Sequence, residues 1–324
     1  MINGKTDITY YIKSATYSGD SNKFNTELAL NLNATKFGRE RAFTVEEGDS
    51  IKCVFDDKYT FYGVVFAVEI TSEGAYSLTC YDSNVYLNKS NDMRIFANKK
   101  ASDIIRMLAS DFGIPVGNIA DTGYVIPFLR LSNISLYEMI LKALTITRKQ
   151  TGKRFFVKNV DGKLTLVSGL STKKYMFSDS ENLISATYSR SIEDTKTQIK
   201  VSGGEKGKEI VVVAKDESKR KKYGVLQSVE ILDEKATASQ IKQHAETLLK
   251  EQSQVSEQLS IEVLGIPEVS CGTAVYVRNL MTSTNGAYYV TGFTHNYSDA
   301  HTMTLELSRT YELPDIEINE DEIK

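Results

Sequence analysis

The sequence predicts an α+β fold that is mainly β, with two antiparallel β units separated by an inserted α/β segment. Residues 46–82 and 269–310 carry one strand pattern twice: Gly48-Asp49-Ser50-Ile51 through Tyr62-Gly63-Val64-Val65 to Leu78-Thr79-Cys80-Tyr81, and Gly272-Thr273-Ala274-Val275 through Tyr289-Val290-Thr291-Gly292-Phe293 to Thr304-Leu305-Glu306-Leu307. Repetition in fixed order is architectural information, although any two antiparallel sheets share the period of two. Between the copies the apolar spacing turns helical. Tyr (18) and Phe (13) are plentiful and Trp is absent, an aromatic enrichment that suits pleated, half-buried surfaces.

Along the chain, Ile8, Tyr10, Ile12, Ala15 and Tyr17 alternate up to a Ser18-Gly19-Asp20 turn, and Leu28, Leu30 and Leu32 share one face after it. This is a hairpin pattern. Asp56-Asp57-Lys58 and Ser72-Glu73-Gly74 mark the turns of the first repeat copy, so residues 1–92 read as one small antiparallel barrel or curled sheet. Residues 93–180 read as an inserted α/β domain. Ile104, Ile105, Leu108, Ala109 and Phe112 make an amphipathic stripe stopped by Gly113 and Pro115. Ser135-Leu136-Tyr137-Glu138 is a capping box, with Ile134 and Met139 as a staple and Gly152 as the stop. Asp161-Gly162 between two apolar runs signals a type I′ hairpin. Strand alternation resumes at Leu183–Tyr188, and residues 181–311 form the second β unit, with a helix over about 236–254 capped by Thr237 and Gln240. Residues 215–222 read as a solvated basic loop, and 312–324 as an acidic, mobile tail with too little apolar content for a core.

Composition narrows the function. A length of 324 residues suits about two domains, and a formal net charge of −3 argues against a general nucleic-acid or anionic-membrane binder. No run approaches the ~18 apolar residues that span a bilayer. Cys53, Cys80 and Cys271 show no metal or redox spacing and read as buried free thiols in a reducing compartment. His295 and His301 flank a turn beside Asp299 and read as solvated turn residues; Glu46-Glu47, Asp56-Asp57 and Glu320-Asp321 lie in turns or termini rather than across a cleft. With no nucleophile, P-loop or zinc motif either, neither enzyme activity nor a cofactor nor a metal is expected.

Tyr17-Ser18-Gly19-Asp20, Glu47-Gly48-Asp49-Ser50-Ile51, Phe61-Tyr62-Gly63-Val64-Val65, Ala101-Ser102-Asp103-Ile104-Ile105, Leu264-Gly265, Cys271-Gly272 and Tyr289–Phe293 follow one another in a characteristic order. In that order the chain resembles the baseplate hub proteins of contractile phage tails, the late-control protein D family, and especially the hubs of PBSX-like prophages. The resemblance implies two tube-like antiparallel β-barrel domains around the inserted domain. It implies a homotrimer that joins a hexameric tail tube protein to a threefold spike protein among neighbouring baseplate proteins, in a virion tail or bacteriocin particle made in the host cytoplasm. DNA could pass through the lumen without specific recognition. The competing class is a tail-associated peptidoglycan hydrolase or carbohydrate-binding module. Under the hub reading the assembly residues fall on the two long repeat strands: Tyr62, Gly63 and Val64 in the first copy, and Tyr289, Gly292 and Phe293 in the second.

Overall fold

The computed structural model describes residues 1–36, 40–55, 59–170, 174–205, 207–232, 236–311, 313–314, 316 and 318–323. They divide into two compact units, Met1–Ala186 with Ser260–Lys324, and Thr187–Leu259.

The chain begins with β1 (Ile12–Asp20), β2 (Thr26–Asn33), the short pair β3 (Thr35–Lys36) and β4 (Glu40–Arg41), β5 (Ser50–Phe55), β6 (Tyr59–Ile70) and β7 (Ala75–Tyr81). The inserted segment runs α1 (Val85–Lys89), β8 (Asn91–Lys100), α2 (Ala101–Asp111), β9 (Val116–Ile119), β10 (Val125–Ser135), α3 (Leu136–Thr151), β11 (Phe156–Val160) and β12 (Lys163–Val167). Then follow β13 (Lys174–Ser178), β14 (Leu183–Ser191), β15 (Gln198–Gly203), β16 (Ile210–Lys215), α4 (Glu217–Tyr223), β17 (Gln227–Ile231), α5 (Ala238–Gln252), β18 (Ser256–Leu264), β19 (Ala274–Asn279), β20 (Thr284–Tyr297) and β21 (His301–Ser308).

One large sheet, ordered β14-β18-β21-β20-β1-β2-β7-β6-β5 with β19 between β13 and β20, carries both repeat copies. Its path is open at both ends among the described residues, so the chain is mainly β with antiparallel sheets rather than a closed barrel on its own. Alternation fixes the two faces. Tyr17 pairs with Leu28 on one side and His295 on the other, and the core face continues through Leu30, Leu78, Val65, Phe293 and Leu305, all buried.

The opposite face is polar. Thr16, Asn296, Thr302, Ala29 and Thr79 make one cross-strand row, and Ser18, Thr294, Thr304, Glu27 and Tyr81 the next. Neither row contains Lys or Arg.

The inserted segment has a core of its own in which α2 and α3 pack on the β8–β10 ribbon and the β9–β12–β11 sheet. The capping box at Ser135 forms with both reciprocal bonds, and Gly152 ends α3 at φ 70°. Asp161 and Gly162 both take positive φ, 51° and 74°, as a type I′ turn requires. The Thr237 and Gln240 capping box likewise opens α5. In the smaller unit α5 covers the β16–β15–β17 sheet through Ile199, Val201, Ile241 and Ala245.

Three expectations need correction. The basic stretch 215–222 is largely helical, because Asp216 caps α4 by accepting from the Lys219 amide at 3.0 Å, and its cations fall in the last turn, where the helix dipole favours them. The described residues of the C-terminal segment are anchored rather than mobile. Leu313 and Ile316 pack on the inserted core, and the Glu322 carboxylate accepts from the nearly buried Lys142 ammonium at 2.6 and 2.7 Å. His295 is fully buried rather than a solvated turn residue, because it sits inside β20, on the core face. The expected Asp56-Asp57-Lys58 turn lies outside the described residues.

Candidate assembly surface

The two repeat copies are three-stranded antiparallel meanders, β5-β6-β7 and β19-β20-β21. Their correspondence extends to single hydrogen bonds. The Gly48 amide donates to the Val65 carbonyl at 2.8 Å, and the Gly272 amide to the Val290 carbonyl at 2.8 Å. The return bonds, Val65 to Asp49 and Val290 to Thr273, are 2.9 and 3.0 Å. Each entry turn is closed by a side chain: Asp49 Oδ2 accepts from the Glu46 amide, and Thr273 Oγ1 from the Ser270 amide. Gly48 and Gly272 both stand at strongly positive φ, 92° and 82°, which glycine adopts without a Cβ penalty. The long central strand is bulged at the same place in both, between Val65 and Ala67 and between Val290 and Gly292.

The edges differ. Along Ser50–Val64 the β5–β6 pair is capped by the N-terminal segment, where the Asn3 amide donates to Ser50 and the Lys52 amide to Met1. In the second copy β13 covers β19 in parallel. Past its bulge, β20 is covered by β1 through Asp20–Gly292 to Ala15–Tyr297. Past the equivalent bulge, the same side of β6 carries no strand among the described residues.

Tyr62 lies exposed on β6. Gly63 pairs with Ile51, and a Cβ there would come within 2.4 Å of the Tyr81 carbonyl oxygen, so close strand approach requires the glycine. Val64 is half-buried between Ser50 and Tyr81, and Tyr289 half-buried between Ala274 and Ser308. Gly292 and Phe293 sit inside the sheet between β1 and β21.

Tyr17 joins the two copies. Its ring packs at 5.9 Å from Phe55 and 5.8 Å from Phe61 on one side, and at 5.2 Å from Phe293 and 6.1 Å from His295 on the other. Its hydroxyl meets that of Tyr59 at 2.7 Å. His295 Nε2 lies 2.8 Å from the Val269 carbonyl and therefore carries the proton, so Nδ1 accepts from His301 Nε2 at 3.0 Å. Burial, reinforced by His301, pulls the His295 pKa down to about 4. Buried Asp82 accepts from the Thr26 amide and hydroxyl and from the Asn84 amide at 2.7–2.9 Å, tying β2 to the start of α1; burial still pushes its pKa up to about 7. Cys53, Cys80 and Cys271 are free thiols, all raised by burial.

The sequence reading found both of the strands concerned but missed a literal recurrence between them. Ser14-Ala15-Thr16-Tyr17-Ser18 of β1 recurs as Ser185-Ala186-Thr187-Tyr188-Ser189 of β14. The repeat is therefore longer than the two meanders: β1-β2-β7-β6 and β14-β18-β21-β20 follow one another in the sheet.

A family model described as YQBQ-like matches residues 15–308. The phage-like element PBSX protein XkdQ of Bacillus subtilis (strain 168) is 35% identical over 285 residues, covering 87% of each chain. Among solved structures, the prophage MuSo2 43 kDa tail protein from Shewanella oneidensis has a TM-score of 0.69 at 14% identity, over 94% of this chain and 96% of that one. The E. coli c3393 protein, a component of the type VI secretion system, has a TM-score of 0.57 at 9% identity, over 97% and 78%. At these identities the structures establish a shared fold. The resemblance to PBSX-like proteins read from the sequence is borne out, and the chain belongs to the YQBQ-like family.

Proposed function

We propose that the protein is the structural hub of a phage-tail or tail-like baseplate, a trimeric ring that joins a hexameric tail tube to a threefold spike. The observation that carries this reading is the doubled meander, with one turn, one bulge and one set of hydrogen bonds presented twice by a single chain. A sixfold partner needs six near-equivalent edges, and three such chains supply them. The relative named as a protein of the phage-like element PBSX supports a phage origin, and the solved-structure neighbour described as similar to T4 bacteriophage tail proteins gp27 and gp5 supports a tail role. The protein then works in the tail baseplate of a virion or bacteriocin-type particle, in contact with tube, spike and neighbouring baseplate proteins.

The polar face suits a lumen through which DNA passes. Its two central rows carry hydroxyls, an amide and a carboxylate but no cation, which keeps phosphate attraction there weak, with Lys23 and Lys89 standing to one side of them. The role is structural rather than catalytic, in keeping with Asp82 and His295 being committed to internal bonds.

Cross-linking with mass analysis of intact particles tests the reading. Three copies of this chain are expected against six of the adjoining tube protein; six against six would overturn it.

A further inference from the structure

We propose that the tip between β19 and β20, Leu280-Met281, is the knob by which each subunit holds the threefold spike, and that the opposite end of the sheet, at the β6–β7 and β20–β21 turns, faces the sixfold tube. The proposal deepens the hub reading and rests on it.

The repeat carries the argument through the places where its two copies agree and where they part. From β20 through β1, β2 and β7 to β6 every pairing is antiparallel. An even number of reversals leaves β6 and β20 running the same way, so both long strands start at one end of the sheet and finish at the other. At the finishing end the copies match. Ser72-Glu73-Gly74 leads from β6 to β7 and Ser298-Asp299-Ala300 from β20 to β21, and the serine and the carboxylate are exposed in both. A trimer repeats that surface around a full sixfold ring, which is what a hexameric partner can use.

At the starting end the copies differ. The sequence linking β5 to β6 is Asp56-Asp57-Lys58, whereas the one linking β19 to β20 is Leu280-Met281-Thr282-Ser283. Leu280 is 79% exposed and Met281 94%, apolar surface that a partner covers favourably. The tip is also fixed before any partner arrives. The Asp179 carboxylate accepts from the Leu280 amide at 2.9 Å and from the Asn279 side-chain amide, and Asn279 Oδ1 accepts from the Thr282 amide at 2.8 Å and its hydroxyl at 2.7 Å. A knob held in this way loses little freedom on docking. Behind it Met176 and Tyr276, paired across β13 and β19, add apolar surface at 51% and 41% exposure. A sixfold partner would meet the apolar pair at only half of its sites, whereas a threefold partner meets it at every subunit. The chemistry that fits is an apolar pocket on each subunit of a trimer.

Particles assembled with the full chain test the assignment. A photo-cross-linking residue in place of Met281 should join this chain to the three-copy spike protein, and one in place of Asp299 should join it to the six-copy tube protein. Leu280→Asp with Met281→Asp should lower the spike content of purified particles about tenfold or more, the scale of losing a docking hot spot. Because both side chains lie in solvent, the thermal melt of the subunit and its ratio to the tube stay as in the parent. The proposal is overturned if residue 281 cross-links to the tube or to no three-copy protein, or if the double variant keeps the parent's spike content. A three-to-six ratio with residue 281 linked to the tube leaves the hub reading standing and removes only this assignment of its ends; six-to-six removes the hub reading itself, whatever residue 281 meets.

Discussion

His295 is held neutral by its surroundings: rings on both faces, a carbonyl at Nε2 and a second imidazole at Nδ1. Its pKa falls from 6.5 to about 4 in the folded chain, so the unfolded chain binds this proton more tightly. The stability it contributes is fully present above about pH 6.5 and is lost as pH drops toward 4, by on the order of 3 kcal/mol. Urea unfolding at a series of pH values checks this. His295→Asn should be less stable than the parent at pH 7, yet lose less between pH 6.5 and 4; parallel pH curves for the two proteins would refute the assignment. Sequence could not reveal this histidine's burial. His295 and His301 lie either side of Ser298-Asp299-Ala300, and only the continuation of β20 and β21 to the very tip of the hairpin places the first inside.

Local signals were the most legible at the level of elements. The Ser135 capping box, the Asp161-Gly162 turn and the Gly113 stop are each written in adjacent residues, and each forms. The C-terminal segment was illegible because its partners are distant: Leu313 and Ile316 look stranded among carboxylates until the inserted core comes to meet them. Lys142 makes the segment's energetic role testable. Its side chain is 8% exposed and paired with Glu322, and breaking a buried pair by removing one partner costs about 3–5 kcal/mol. Truncation after Tyr311 is therefore expected to lower the melting temperature clearly, and Lys142→Met in the truncated chain to recover part of the loss. A truncated protein that melts with the parent would return the segment to a solvated chain end.

For the molecule as a whole, two copies of a strand pattern were readable, but not that they share one sheet, since period-two alternation does not say which strands meet. The β1–β20 pairing that unites them has no local signature. The polar face that results predicts behaviour toward DNA. With a net charge of −3 and no cation in its central rows, the full chain is expected not to retard duplex DNA in a gel at about 0.1 M salt. Replacing Thr294 and Thr304 with Lys should create retardation that salt abolishes. Retardation by the parent protein would argue against a lining past which DNA slides.

The β1–β20 pairing also sets a timetable for synthesis. Gly292, the partner of Asp20, emerges about 270 residues after it, a delay on the order of 15–55 s at roughly 5–20 residues per second. Throughout that interval the nascent β1 has one open edge. By the time β20 leaves the ribosome, β14 has been translated too, and two strands with the same pentapeptide stand ready for one vacancy. What favours the right one is precedence: β1 is already pinned to β2, and β2 to β7, by Leu28, Leu30 and Leu32. The early hairpin thereby acts as a placeholder for β1, and the later duplicate strand takes its place beside β18 at the far end of the sheet.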